Sequence, residues 1–116
     1  MERSSYEFDE EYRSRIDTEI CSLALKFQSG ELGVIAVSRA LRRYQTVVEK
    51  KSPELAAVLM TFVAVDSETD TLPIGRIREM WHPSTIVIED QKIEKAESMY
   101  RGTVNSACEK ILRILA

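Results

Sequence analysis

The run Phe62-Val63-Ala64-Val65-Asp66-Ser67-Glu68-Thr69-Asp70-Thr71-Leu72-Pro73 decides between a helical protein and a mixed one. On propensity alone, Phe62 to Val65 suits a short strand. A lone strand has nowhere to send its backbone hydrogen bonds, however, and no second segment of similar quality exists to pair with it. Read with what precedes it, the run completes a helix, because Leu55, Val58, Leu59, Phe62 and Val65 recur three or four residues apart. Ser52 and Pro53 form its entry: serine caps free amides, and proline occupies the first turn without wasting a donor. Leu72 stands before Pro73 and is expected to be extended, so the helix ends ahead of it.

Working outward, the same period recurs on both sides. Phe8, Tyr12, Ile16, Ile20, Leu23 and Phe27 mark a first amphipathic helix, with Ser4 and Glu7 spaced as a capping box and Gly30 as its stop. Residues 31–50 form a second, carrying Leu32, Ile35, Ala36, Leu41, Tyr44 and Val48. Val34 and Val37 widen its apolar arc, which predicts contact on more than one side, or an interface for self-association. After Pro73 the spacing predicts a short helix in which Ile74, Ile77 and Trp81 share a core-facing side, with Arg78 at its edge. Pro83 breaks the chain, and Thr85 to Ile88 make a brief further turn. A last helix then starts at a capping Asp90 and carries Ile93, Tyr100, Val104, Ala107, Cys108, Ile111, Leu112 and Leu115. The expected fold is all-α: one domain spanning residues 1–116, a small antiparallel bundle of four main helices plus one or two short ones.

Composition narrows the function classes. The chain is 44% apolar and 30% charged, which is globular composition, and its formal charge of −3 lacks the basic excess of a protein held to nucleic acid by phosphate neutralisation. Charge is unevenly placed: residues 31–52 hold five basic and two acidic side chains, while residues 53–73 hold none and four. Arg39, Arg42, Arg43, Lys50 and Lys51 spread over more than one helical face without an aromatic platform, so they read as a solvated face rather than an RNA site. Two cysteines, Cys21 and Cys108, are too few for a disulfide framework or a four-ligand zinc site, and both read as buried thiols. The amino terminus lacks a signal-peptide layout and no run reaches membrane-span length, so the expected location is cytoplasmic, without membrane contact.

The densest chemistry lies between Asp66 and Trp81. Asp66, Glu68 and Asp70 alternate like calcium-loop ligands, but the turn glycine and the closing acidic residue are missing, since the twelfth position is Ile77. No metal and no cofactor are expected. Carboxylates at a helix C-terminus face the wrong end of its dipole, which calls for a nearby arginine: Arg39, Arg76 or Arg78. Glu97 falls on the apolar stripe of the last helix and needs a partner, for which Arg78, stacked on Trp81, is the candidate. His82, the one histidine, sits between Trp81 and Pro83 and reads as a surface or capping residue rather than a catalytic base. No catalytic residue is assigned. The alternative is a small enzyme or ligand-binding domain with a pocket at Glu68, Asp70, Arg78 and Trp81.

Ser67-Glu68-Thr69-Asp70-x-Leu72-Pro73-x-Gly75-x-x-Arg78-x-x-Trp81, followed by Pro83, Asp90, Ile93, Glu97, Tyr100 and Cys108, resembles a family of small helical bacterial cytoplasmic proteins to which no catalytic role attaches. The resemblance covers roughly residues 20–115 of the chain. Its implied function, by analogy, is that of an immunity protein that binds and blocks a cognate toxin domain of contact-dependent inhibition or type VI systems. On that reading Pro73, Gly75, Arg78, Trp81 and Glu97 are structural, and the partner-binding candidates are acidic: Asp66, Glu68 and Asp70, or Glu10 and Glu11 with Glu7, Asp9, Asp17 and Glu19 on the first helix. The expected oligomeric state is a monomer or weak homodimer.

Overall fold

The computed structural model describes the backbone of residues 5–115 and the side chains of residues 10–115. The chain is all-α, with α1 over Ser5–Gln28, α2 over Val34–Arg42, α3 over Gln45–Val48, α4 over Pro53–Thr69 and α5 over Pro83–Leu115, and a 3-10 turn over Gly75–Met80. No strand occurs among the described residues, so Phe62 to Val65 lie inside α4 as the pairing argument requires. The capping box read at Ser4 and Glu7 lies outside the described residues.

The local signals explain most boundaries. Ser52 Oγ accepts from the Leu55 amide at 3.3 Å and Pro53 takes the first position of α4. Gly30 ends α1, with its amide on Phe27 O and the Glu31 amide on Lys26 O. His82 starts α5: its Nδ1 accepts from the Ser84 amide at 3.2 Å and lies 2.7 Å from Ser84 Oγ. Histidine is thus a cap, as expected.

Three expectations need correction. Residues 31–50 are not one helix: α2 begins only at Val34, and a kink at Arg43 and Tyr44 separates it from α3. The backbone stays right-handed helical through both kink residues, so the chain tightens there rather than unwinding. Asp90 does not start the last helix. Thr85 to Ile88 belong to α5, which runs unbroken for 33 residues, or about 50 Å at the usual rise. Finally, the 3-10 turn buries no side chain: Ile77 is 54% and Met80 86% exposed, and Trp81 is only half-buried. The apolar plug comes one step earlier, at Leu72 and Pro73.

One core joins all the long helices. Ile20, Ala24 and Phe27 of α1 meet Val34, Val37 and Leu41 of α2, Leu55, Leu59 and Phe62 of α4, and Val104, Cys108 and Ile111 of α5. The wide arc of α2 is therefore consumed inside the molecule and offers no interface. A second, smaller cluster of Ile35, Leu72 and Ala96, with Ile74, Ile93 and Tyr100 against it, ties the segment after α4 to α5. Among the described residues, no helix is long and apolar enough to cross a membrane.

The two thiols differ in environment. Burial pushes Cys108 up to about 12, whereas Cys21 is half-buried and raised by burial and by the nearby Asp17 carboxylate. Native protein treated with iodoacetamide at mildly alkaline pH is expected to be alkylated at Cys21 well before Cys108, with both reacting in denaturant. Equal native rates, read by peptide mass spectrometry, would place Cys108 outside the core.

Candidate functional site

The residues singled out between Asp66 and Glu97 gather at the end of the bundle where α4 stops and α2 starts. α2 begins at an uncapped glycine: Gly33 has no side chain to offer the first amides. The acceptor is supplied from α5. Glu97 Oε1 accepts from the Val34 amide at 2.8 Å and Oε2 from the Ile35 amide at 2.9 Å, one carboxylate closing two free donors across more than sixty residues. A negative group at a helix N-terminus is also favoured by the dipole. A Cβ at position 33 would stand 2.8 Å from Glu97 Oε1, so a side chain there would push the carboxylate off its two amides. Glu97 keeps Arg101, one turn on, at 3.6 Å. Its partner is thus a helix end, not Arg78.

The opposite polarity is met at the end of α4. Arg39, on α2, donates through Nη2 to Thr69 O, which also accepts from the Leu72 amide at 3.0 Å, and, at 2.8 Å, to Leu72 O just beyond the helix end. Its Nε lies 3.3 Å from Asp66 Oδ1, and Arg42 Nη1 binds Asp66 Oδ2. An arginine was expected here from the dipole argument, with Arg39 among the three candidates. Asp66 is only 4% exposed and enclosed by two guanidinium groups, so it is not an outward-facing partner residue. Thr69 is buried as well, its hydroxyl turned back to Val65 O at 2.8 Å.

Beyond Pro73, Gly75 opens the 3-10 turn at φ +67°, a conformation that L side chains rarely adopt. The turn brings Arg78 onto α5, where it forks onto Asp90 through Nη1 and Nη2, the latter at 2.9 Å, and reaches back to Pro73 O at 3.3 Å. Arg78 is therefore the staple between this segment and the last helix, with Asp90 as its anchor. Both side chains remain substantially exposed. The guanidinium-ring contacts among the described residues are Arg43 over Tyr44 and Arg101 over Phe27, not Arg78 over Trp81.

The four residues proposed for a pocket are not brought together. Glu68 borders a shallow open groove of about 320 Å³ with Thr71, Lys92, Lys95, Met99 and Tyr100, and Asp70, Arg78 and Trp81 lie outside it. Glu68 and Asp70 are exposed and have no ion pair or hydrogen bond through their side chains among the described residues. Among the described residues no three His, Cys, Asp or Glu side chains are arranged to hold a metal ion. At the other end, Glu10 and Glu11 are exposed. Glu10 borders a long open groove of about 1070 Å³ on the outer face of α1, shared with Arg13, Asp17, Cys21, Leu25 and Lys26.

Comparison with family models, with curated proteins and with solved structures gave no match. Geometry and chemistry alone therefore carry the reading of this chain.

Two measurements test this geometry. Asp66→Ala is expected to cost about 1–3 kcal/mol in urea unfolding, less than for a fully buried pair because both arginines can still reach water. An unchanged midpoint would remove the pair from the account. Arg78 holds the Asp90 carboxyl below the usual carboxylate range, and Asp90 in turn raises Arg78. With the folded-state value depressed, this pair's stabilisation is present above the unfolded carboxyl value of about 3.9 and is lost as pH falls through the folded-state value. Asp90→Asn should flatten the loss of stability on acidification in that window; superimposable pH profiles would contradict the pairing.

Proposed function

We propose that this chain is a non-catalytic protein-binding module, a cytoplasmic bacterial immunity protein that binds and blocks a cognate toxin domain. The observation that carries the reading is where the ionisable groups are spent. Glu97 and Arg39 bind helix ends, and Asp66, Arg42, Arg78 and Asp90 are engaged in internal ion pairs, so the specified segment leaves no convergent acid, base or nucleophile. What remains outward includes the exposed carboxylates Glu10, Glu11, Glu68 and Asp70. Enzymes and small-ligand sites concentrate polar groups in concave, largely enclosed pockets, whereas protein partners take broad open faces.

Two acidic surfaces are available, Glu68 with Asp70 and Glu10 with Glu11, and the α1 face favours the second. Its groove is long and open, and it presents Glu10, Asp17 and Glu31, interleaved with Arg13 and Lys26, beside apolar Leu25 and small side chains. Carboxylates without internal partners suit a basic toxin surface, since complementary charge speeds association and selects the partner.

Affinity capture with the tagged chain from the source cell tests the reading. A stoichiometric protein partner is expected, with Glu10→Lys/Glu11→Lys weakening the complex by tenfold or more, on the order of 1.4 kcal/mol, and Glu68→Lys/Asp70→Lys doing less. Absence of any partner, together with a small molecule or divalent ion that raises the melting temperature, would overturn it.

A further inference from the structure

The core is not closed at the end of the bundle where α4 begins. Tyr12 and Ile16 of α1, Val47 and Val48 of α3, Leu55 of α4 and Leu115 at the end of α5 surround a cavity of about 120 Å³. Ile16, Val48 and Leu55 are buried members of the main core and form its floor. Tyr12 and Val47 stand in its wall and remain open to solvent, at 48% and 39% exposure. Packed interiors leave few voids larger than a water molecule, and a void walled by aliphatic side chains offers water no hydrogen-bond partner. The fold therefore keeps room for an apolar group that no described residue supplies.

The size of the cavity selects its guest. Sites that enclose a drug-sized ligand run from roughly 300 to 1,000 Å³, whereas an apolar cavity of about 150 Å³ takes a single benzene ring. About 120 Å³ suits one ring or one branched aliphatic group, which is a phenylalanine or leucine side chain and not a whole metabolite. Its position says what presents that group. Arg13 and Asp17 at the mouth, together with Leu115, also line the α1 groove, so groove and cavity are continuous, and Glu10 lies one turn from Arg13. Charge along the groove is interleaved and selects a partner only weakly. A side chain buried in a desolvated pocket, by contrast, carries much of the energy of a protein interface.

We propose that this cavity is the anchor pocket of the α1 surface: a protein partner seated in the groove inserts one phenylalanine- or leucine-sized side chain between Tyr12 and Val47, with a basic residue beside it for Glu10. The inference rests on the protein-partner reading above and adds the chemistry that the partner must carry.

Methyl-resolved NMR of the full chain, titrated with N-acetyl-L-phenylalaninamide into the millimolar range, tests it. Saturable shifts are expected at the Ile16, Val48, Leu55 and Leu115 methyls and none at Ile35 or Ile93 of the smaller cluster, while N-acetyl-L-alaninamide moves none of them. This comparison uses the parent protein and does not depend on how any variant folds. Val47→Trp, at the exposed wall, should fill the cavity, keep or raise the melting temperature and weaken the response at least tenfold. Glu10→Lys/Glu11→Lys should leave the response unchanged, which separates failure of the cavity from failure of the charged surface. A captured partner should be held tenfold or more weakly by Val47→Trp and as in the parent by Met60→Trp, at an exposed apolar residue of α4 outside the cavity. Absent shifts, an equal response to both amides, or a response that survives Val47→Trp overturns the proposal. So does a captured complex indifferent to Val47→Trp, an outcome that leaves the toxin reading in place.

Discussion

A carboxylate of α5 on the first amides of α2 is the contact around which the rest is arranged. α2 is nine residues long, too short to persist in water by itself, and it begins at a glycine that cannot cap it. Glu97 supplies the missing acceptor from a distant part of the chain and fixes where α2 starts, at what height on α5, and with which face inward. Once that end is set, Val34, Val37 and Leu41 enter the main core and Ile35 meets Leu72 and Ala96. The same helix then carries Arg39 to the end of α4, where its guanidinium binds the Thr69 and Leu72 carbonyls. Opposite dipole ends are met by opposite charges through one short helix.

This arrangement changes the meaning of the acidic and basic residues between Asp66 and Glu97. Clustered carboxylates and arginines beside a tryptophan look like the ingredients of an active centre. In place, each charged group that is buried or half-buried completes a backbone terminus or another charge. Asp66 neutralises Arg39 and Arg42, Arg78 secures the 3-10 turn to α5, and Glu97 caps α2. Glu68 and Asp70 are left at the surface, where recognition by charge is open to them.

Elements with long, regular apolar spacing were legible in the sequence. The Ser52–Pro53 entry, the stop at Gly30, the helical state of Phe62 to Val65 and the capping role of His82 follow from local chemistry, and each is found. The need for an arginine near the end of α4 was also readable, because dipole sign does not depend on tertiary detail. What escaped is of one kind. Glu97 visibly needed a partner on its apolar stripe, but charges are visible in a sequence and free amides are not, so Arg78 stood out and the start of α2 did not. The signal was Gly33, a glycine within a predicted helix with no side chain able to cap. The continuation of α5 through four β-branched residues was missed for a related reason: propensity argued against it, and the Arg78–Asp90 brace that steadies it is not a local feature.

The central claim is that Glu97 holds the N-terminus of α2. Amide hydrogen exchange at Val34 and Ile35 reads that contact directly, since these donors have no acceptor within their own helix. In the parent protein both amides should be protected, and Glu97→Ala should release these two selectively while the Leu59 and Phe62 amides of α4 keep most of their protection. Exchange at Val34 and Ile35 that is fast in the parent, or unchanged by Glu97→Ala, would contradict the account.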